Sequence, residues 1–272
     1  MAVAASGDPA ILGHMDDLTL SLLPLTTTAE EGERDARVAL LPVGSLEQHG
    51  PHLPLVTDTV IACVLARELA RRHPVRLLPP LTISCSHEHA AWPGTVSISA
   101  RTLHAVVTDI AASLGDTRLV LVNGHGGNHV LANVVQESRG AMALFPQAHE
   151  WEAAREAAGM STDNDTDMHA GELETSVLLH TYPELVRPGR ADHVTGPRDH
   201  MPTLGLAPYT PTGVVGRPSL ATADKGRRLL AALTTGFAGH LDALDAVAAH
   251  QPDDGHHRPG QPRHQREQPV DD

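Results

Sequence analysis

Aromatic residues are scarce in this sequence: two Trp, two Tyr and two Phe among 272 residues. A core must therefore be built from Val, Leu and Ala, and a stacking platform for single-stranded nucleic acid is excluded. Lysine is nearly absent, Lys225 being the sole example, and the formal net charge is −13. That balance, with no basic stripe, excludes a phosphate-backbone partner, so no nucleic acid is expected. The two cysteines, Cys63 and Cys85, form no CxxC pair. A reduced, cytoplasmic protein is the default expectation. No apolar run reaches the roughly 18 residues that a membrane span requires, so no membrane partner is expected. The first residues lack both a basic stretch and a long apolar run, so no signal peptide is expected.

What is present is ordinary for a globular protein, with 41% apolar and 19% charged residues. Met1 to about Asp35 reads as a loose start followed by a short amphipathic helix. Residues 36–250 read as one α/β domain. Residues 251–272 are polar, proline-rich and aperiodic, the composition of a disordered tail. Within the domain, VALLPV (Val38 to Val43), Val75 to Leu78, RLVLV (Arg118 to Val122) and Ala141 to Phe145 are short apolar runs. They alternate with helical spacing over Thr57–His73, Thr102–Leu114, Val130–Arg139 and His169–Thr181. A single long helix is expected over Thr222–Ala249. Continuous rather than alternating apolar strands predict a mainly parallel central sheet with helices on both faces.

Three segments carry the polar residues suited to chemistry. LPVGSLEQHGPHLPLVTD, Leu41 to Asp58, opens as a buried strand and then places Glu47, His49 and Asp58 within twelve residues. Glu47 and His49 are i and i+2, so an extended backbone projects both to one face. Imidazole nitrogens and carboxylate oxygens are the donor set of Zn, Fe and Mn sites. The second segment, NGHGGN, follows RLVLV directly and holds His125 among glycines that admit close backbone approach. Its spacing matches neither of the common phosphate-binding glycine motifs. The third, DMHAGELETS, runs from Asp167 to Ser176. If a helix starts there, His169 and Glu172 are i and i+3 and share a face, whereas Glu174 points elsewhere. Acidic residues at a helix N-terminus are also favoured by the dipole alone, which accounts for one or both glutamates but not for the histidine. Together the segments supply Glu47, His49, Asp58, His125 and Glu172. Such a set suits two divalent ions, Zn, Fe or Mn, sharing one carboxylate. His169 remains as a proton carrier.

PVGSLEQHGPHLPLVTD, NGHGGN and HAGELETS resemble the three signature segments of the creatininase family of metal-dependent amidohydrolases, over roughly Val38 to Ala249. The resemblance implies Glu47, His49, Asp58 and His125 as metal ligands, with Asp58 bridging, and His169 as the catalytic histidine. In creatininase a metal-binding glutamate follows the loop histidine by two residues, where this chain has Gly127. The fifth ligand is therefore assigned to Glu172, with Glu174 as the fallback. Gly126, Gly127, Asn128 and Glu174 are expected to line the substrate position. SHEHAAWPGTVSIS and HAG-x-x-ETS-x-LLH most resemble the peptidase branch of the mycofactocin system. That branch trims the carboxyl end of a modified precursor peptide and releases a cyclised dipeptide. Creatinine or a formamide-type small amide is the alternative substrate, and a non-catalytic metal-binding scaffold the alternative role. The family also implies a homo-oligomer, a hexamer being the expected size.

Overall fold

A computed structural model describes residues 22–250 of the chain. The expected tail at 251–272 and most of the N-terminal segment lie outside the described residues. The first described helix with capping, α1 (Thr28–Arg34), starts where Thr27 and Glu30 cap each other and ends at Asp35, whose φ of 44° closes the last turn. The strands are β1 (Val38–Val43), β2 (Arg76–Leu77), β3 (Arg118–Asn123) and β4 (Met142–Phe145). They form one four-stranded sheet in the order β2-β1-β3-β4, and every pairing is parallel. All six residues of β1 are buried, as a strand covered on both faces requires.

The intervening helices are α2 (Thr57–Arg72), α3 (Ala100–Ser113), α4 (Val130–Glu137), α5 (Ala148–Ala158), α6 (Glu172–Thr181), α7 (Met201–Leu204), α8 (Ala223–Gly236) and α9 (Ala238–His250). The pleat sorts them into two layers. Val38, Leu40, Val120 and Val122 pack with Ile61 and Leu65 of α2, Val177 of α6 and Leu229 of α8. Ala39, Leu41, Leu119 and Leu121 face the other way, against Leu103 and Val107 of α3 and Leu131 of α4. The expected single domain with helices on both faces of a parallel sheet is thus observed.

Besides the one-turn α7, which was not expected, three elements differ from the sequence expectation. The helix expected from His169 begins only at Glu172, because His169 pairs in extended form with Val215 and Ala170 turns at a φ of 51°. The single helix expected over Thr222–Ala249 breaks at Phe237. Gly236 and Gly239 weaken the helix there. The Phe237 ring is buried 5.1 Å from that of Phe145 and 5.3 Å from that of His73. Helix α5 was not expected from periodicity. Its signals are terminal ones: the Glu150 carboxylate accepts the Gln147 N–H at 2.7 Å, and Gly159 ends the helix at a φ of 67°.

Candidate metal centre and active site

In the order β2-β1-β3-β4 the chain leaves β1 toward one edge and β3 toward the other. The crevice between their carboxyl ends is the place where open α/β sheets bind ligands. Two glycines deepen it. A Cβ on Gly44 would lie 2.3 Å from the Thr59 Cα, and one on Gly124 would lie 2.4 Å from the Asp58 carbonyl oxygen. Lacking side chains, they let the first turn of α2 sink between the two strand ends. Asp58, in that turn, is carried to the middle of the site and fully buried.

The Asp58 carboxylate lies between two imidazoles. Its Oδ1 is 3.0 Å from His49 Nε2, and its Oδ2 is 2.9 Å from His125 Nδ1 and accepts the Ser45 hydroxyl at 2.7 Å. The His49 Nδ1–H donates to the Glu47 carbonyl at 3.0 Å, which fixes the ring and leaves Nε2 toward the site. Glu47 lies on the other side, with Oε2 3.2 Å from His125 Nε2. The His169 Nε2–H donates to the Gln48 carbonyl at 2.6 Å, so Nδ1 faces Glu47 Oε1 at 3.7 Å. Glu47, His49, Asp58, His125 and His169 are thus brought together from three loops and the first turn of α2.

Glu172 is not. It is the first residue of α6, and its buried carboxylate points away from the cluster, where it pairs with Lys225 Nζ and accepts the Thr162 hydroxyl at 2.7 Å. The assignment of Glu172 beside His169 supposed that both lie on one helix; His169 precedes the helix, so their spacing carries no shared face. Glu174 occupies the place instead. Its Oε2 accepts the Ala170 N–H at 2.6 Å and lies 3.8 Å from His49 Nε2. The helix N-terminus is capped by Asp167, whose carboxylate accepts the N–H groups of Glu172 at 2.6 Å and Leu173 at 3.1 Å.

One site residue escaped the sequence reading. His89, in the turn His87–His89, is buried with Nε2 3.2 Å from Glu47 Oε1. The signal was the run of three titratable residues His87-Glu88-His89, placed after β2 as NGHGGN is placed after β3. The loop residues divide. Gly126 and Asn128 line a cavity of about 510 Å³ that reaches from His125 and Glu174 to Trp151. Gly127 lines a second, of about 460 Å³, with His87, Glu88 and Met201. Both amide ends of Asn128 are engaged within the fold, Oδ1 by the Cys85 N–H and Nδ2 by Asn123 Oδ1. Gly127 is glycine for space: a Cβ would lie 2.3 Å from Glu88 Oε1 and 2.4 Å from His125 Nε2.

Burial sets the electrostatics. It pushes the Glu47 carboxyl up to about 8 against the pull of His125, and Glu174 up to about 7 against the pull of His49. For His49 and His125 burial opposes the charged ring but is outweighed. Asp58 together with Glu174 and Glu47 raises His49 to about 10, and Glu47 and Asp58 raise His125 to about 10. Asp58 is held well below its usual range, the two imidazoles overcoming its burial. His89 is pushed down to about 3 by burial and by His125 and His49, and His169 falls well below its usual value by burial and by His49 and His89.

The donor set fits divalent cations. Both Glu47 carboxylate oxygens are buried without a hydrogen-bond partner, a costly arrangement that a cation relieves. Ligand atoms converge within 4.8 Å of one another in three overlapping groups: Glu47, His49 and Asp58; Glu47, His89 and His169; His49, His169 and Glu174. No helix among the described residues is long and apolar enough to cross a membrane.

Comparison with known proteins gives the family and the fold. A family model described as creatinine amidohydrolase matches residues 25–241. A mycofactocin precursor peptide peptidase of Mycobacterium ulcerans is 39% identical over 240 residues, covering 81% of this chain and 87% of its own. The creatinine amidohydrolase of Pseudomonas putida is 28% identical over 242 residues, covering 76% and 91%. A solved structure of creatininase in a manganese form superposes with a TM-score of 0.66 at 26% identity, covering 83% of this chain and 96% of that one.

Proposed function

The chain belongs to the creatininase family of hydrolases acting on C–N amide bonds, and on that premise we propose that it is a dinuclear metal-dependent peptidase that trims the carboxyl end of a modified precursor peptide of the mycofactocin type. The observation that carries the dinuclear reading is the Asp58 carboxylate, whose two oxygens face His49 and His125 separately. Glu47, with His125, would complete one site; His49 and Glu174 would complete the other. Zn, Fe or Mn held there would polarise the amide carbonyl and acidify water.

The protein groups do the rest. His169 donates Nε2–H to the Gln48 carbonyl, so its Nδ1 lone pair faces the site and can take a proton from the attacking water. As the C–N bond breaks, that proton passes to the leaving nitrogen. The 510 Å³ cavity beside His125 and Glu174 has Trp151, Met168 and Leu144 in its wall, which suits an apolar peptide fragment better than a small polar ring. Peptidase relatives of 35% to 39% identity support the same choice. The test is mass spectrometry of the modified precursor peptide after incubation with metal-loaded protein, beside creatinine and formamide controls. Release of a C-terminal fragment is expected. Turnover of a small amide with an intact peptide would overturn the reading.

A further inference from the structure

Proximity alone would count His89 with Glu47 and His169 as an ion-binding trio. The hydrogen bonds of Gln48 argue otherwise. Its side-chain amide is oriented by two backbone groups that each have only one role. Gly50 N–H can only donate, and it meets Gln48 Oε1 at 2.9 Å. The Gly213 carbonyl can only accept, and it meets Gln48 Nε2 at 3.2 Å. The amide cannot be flipped without opposing like groups at both contacts. Gln48 Nε2 also lies 2.9 Å from His89 Nδ1. An NH2 group has no lone pair to offer there, so Gln48 donates and His89 Nδ1 accepts. The His89 ring then holds its one proton on Nε2, the nitrogen that lies 3.2 Å from Glu47 Oε1, a close polar contact rather than a formed hydrogen bond. A nitrogen that carries a proton has no lone pair for a cation.

We propose that His89 is not a metal ligand but, set in that tautomer by Gln48, turns an N–H rather than a lone pair toward Glu47 Oε1, and that this charge complement biases the Glu47 carboxylate to present Oε2 toward His125 and the metal. His89 is in this sense a positioning residue, and the inference rests on the metal-centre reading above. Gln48 thereby sets opposite tautomers in two neighbouring rings. Its side chain donates to His89 and leaves a proton facing the site, while its carbonyl accepts from His169 and leaves a lone pair facing it. The environment of Gln48 is built for this task. Gly213, at a φ of 85°, would place a Cβ 1.8 Å from Gln48 Oε1, so any other residue there would displace the amide.

The test uses the purified full chain and metal binding as its readout. Cadmium with a spin-half nucleus is loaded, and coupling between the metal and histidine ring nitrogens is read by NMR. Coupling is expected to His49 and His125 and not to His89, whose Nε2 should show a directly bonded proton. Metal affinity is then measured by chelator competition on variants. His89→Leu should weaken binding about 10- to 100-fold, the usual effect of losing a group that orients a ligand. His89→Gln, whose amide places an N–H near the position of Nε2, should restore affinity to within about tenfold of wild type. Metal coupling to His89, or a His89→Gln protein as weak as His89→Leu while folded, would overturn the inference. A wild-type protein that takes up no metal would instead overturn the metal-centre reading itself.

Discussion

Replacing Lys225 by Met separates a structural from a ligating role for Glu172. Lys225 reaches from α8 to the first residue of α6, donating to Glu172 Oε1 and, at 3.0 Å, to the Leu220 carbonyl. The two partners are unequally wet: the Lys225 side chain is 18% exposed and that of Glu172 not at all. Removing the ammonium leaves a buried carboxylate with the Thr162 hydroxyl as its remaining side-chain hydrogen bond. Breaking a buried pair from one side costs about 3–5 kcal/mol. In a domain of this size about 2–4 °C of Tm accompanies each kcal/mol, so the melting temperature should fall by roughly 6–20 °C. Glu172→Gln should cost less, because the stranded lysine can turn toward water and the amide can still accept from Thr162. Both variants should keep their full metal content when assayed well below the melt, whereas Glu174→Gln should lose metal. Calorimetry and elemental analysis on the same preparations decide the matter. Loss of metal from a folded Glu172→Gln protein, or a Lys225→Met melt unchanged from wild type, would refute the reasoning.

Asp58→Ala should bind neither ion, since its two oxygens face both halves of the cluster, while Glu47→Ala should weaken one; elemental analysis of dialysed protein distinguishes them. His169→Ala should keep its metal and lose about two to four orders of magnitude in turnover, whereas His125→Ala should lose both together. The pH dependence has a definite sign. His49 and His125 lie at about 10 against an ordinary 6.5, and Glu47 at about 8 against 4.5, so all three bind protons more tightly in the fold than in the unfolded chain. Their contribution to the metal-free fold is complete below the ordinary values and is lost as pH rises through about 8 and then about 10. Metal-stripped protein should therefore melt lower as pH is raised across that window. Because a cation displaces those protons, metal uptake near neutral pH should release about three per chain, one each from Glu47, His49 and His125, read with an indicator dye; uptake without proton release would contradict the assignment of His49 and His125. A homo-oligomer, proposed as a hexamer, should be seen by light scattering, and a monomer at micromolar concentration would refute it.

The sequence by itself determined the sheet and most of the cluster, because those rest on short-range regularities. Four apolar runs alternating with helical spacing are enough to specify parallel strands covered on both faces. Glu47 and His49 share a direction because they are two residues apart in extended backbone, and His125 follows a strand end directly. The helix ends were less legible: the start of α5 depends on one carboxylate folding back on Gln147, and the break at Phe237 on two ring contacts made across the core. Only the tertiary structure shows where the carboxylates of Glu172 and Glu174 lie. Local spacing favoured the first, but Lys225, 53 residues further on, claims it, and the turn at Ala170 aims the second at His49. His89 was marked in the sequence only by the run His87-Glu88-His89; its role was not legible, since that depends on an amide 41 residues away whose own orientation is fixed by Gly213, 165 residues from it. The direction of a buried polar side chain is set by whichever partner satisfies it, and that partner is a neighbour in space rather than in sequence.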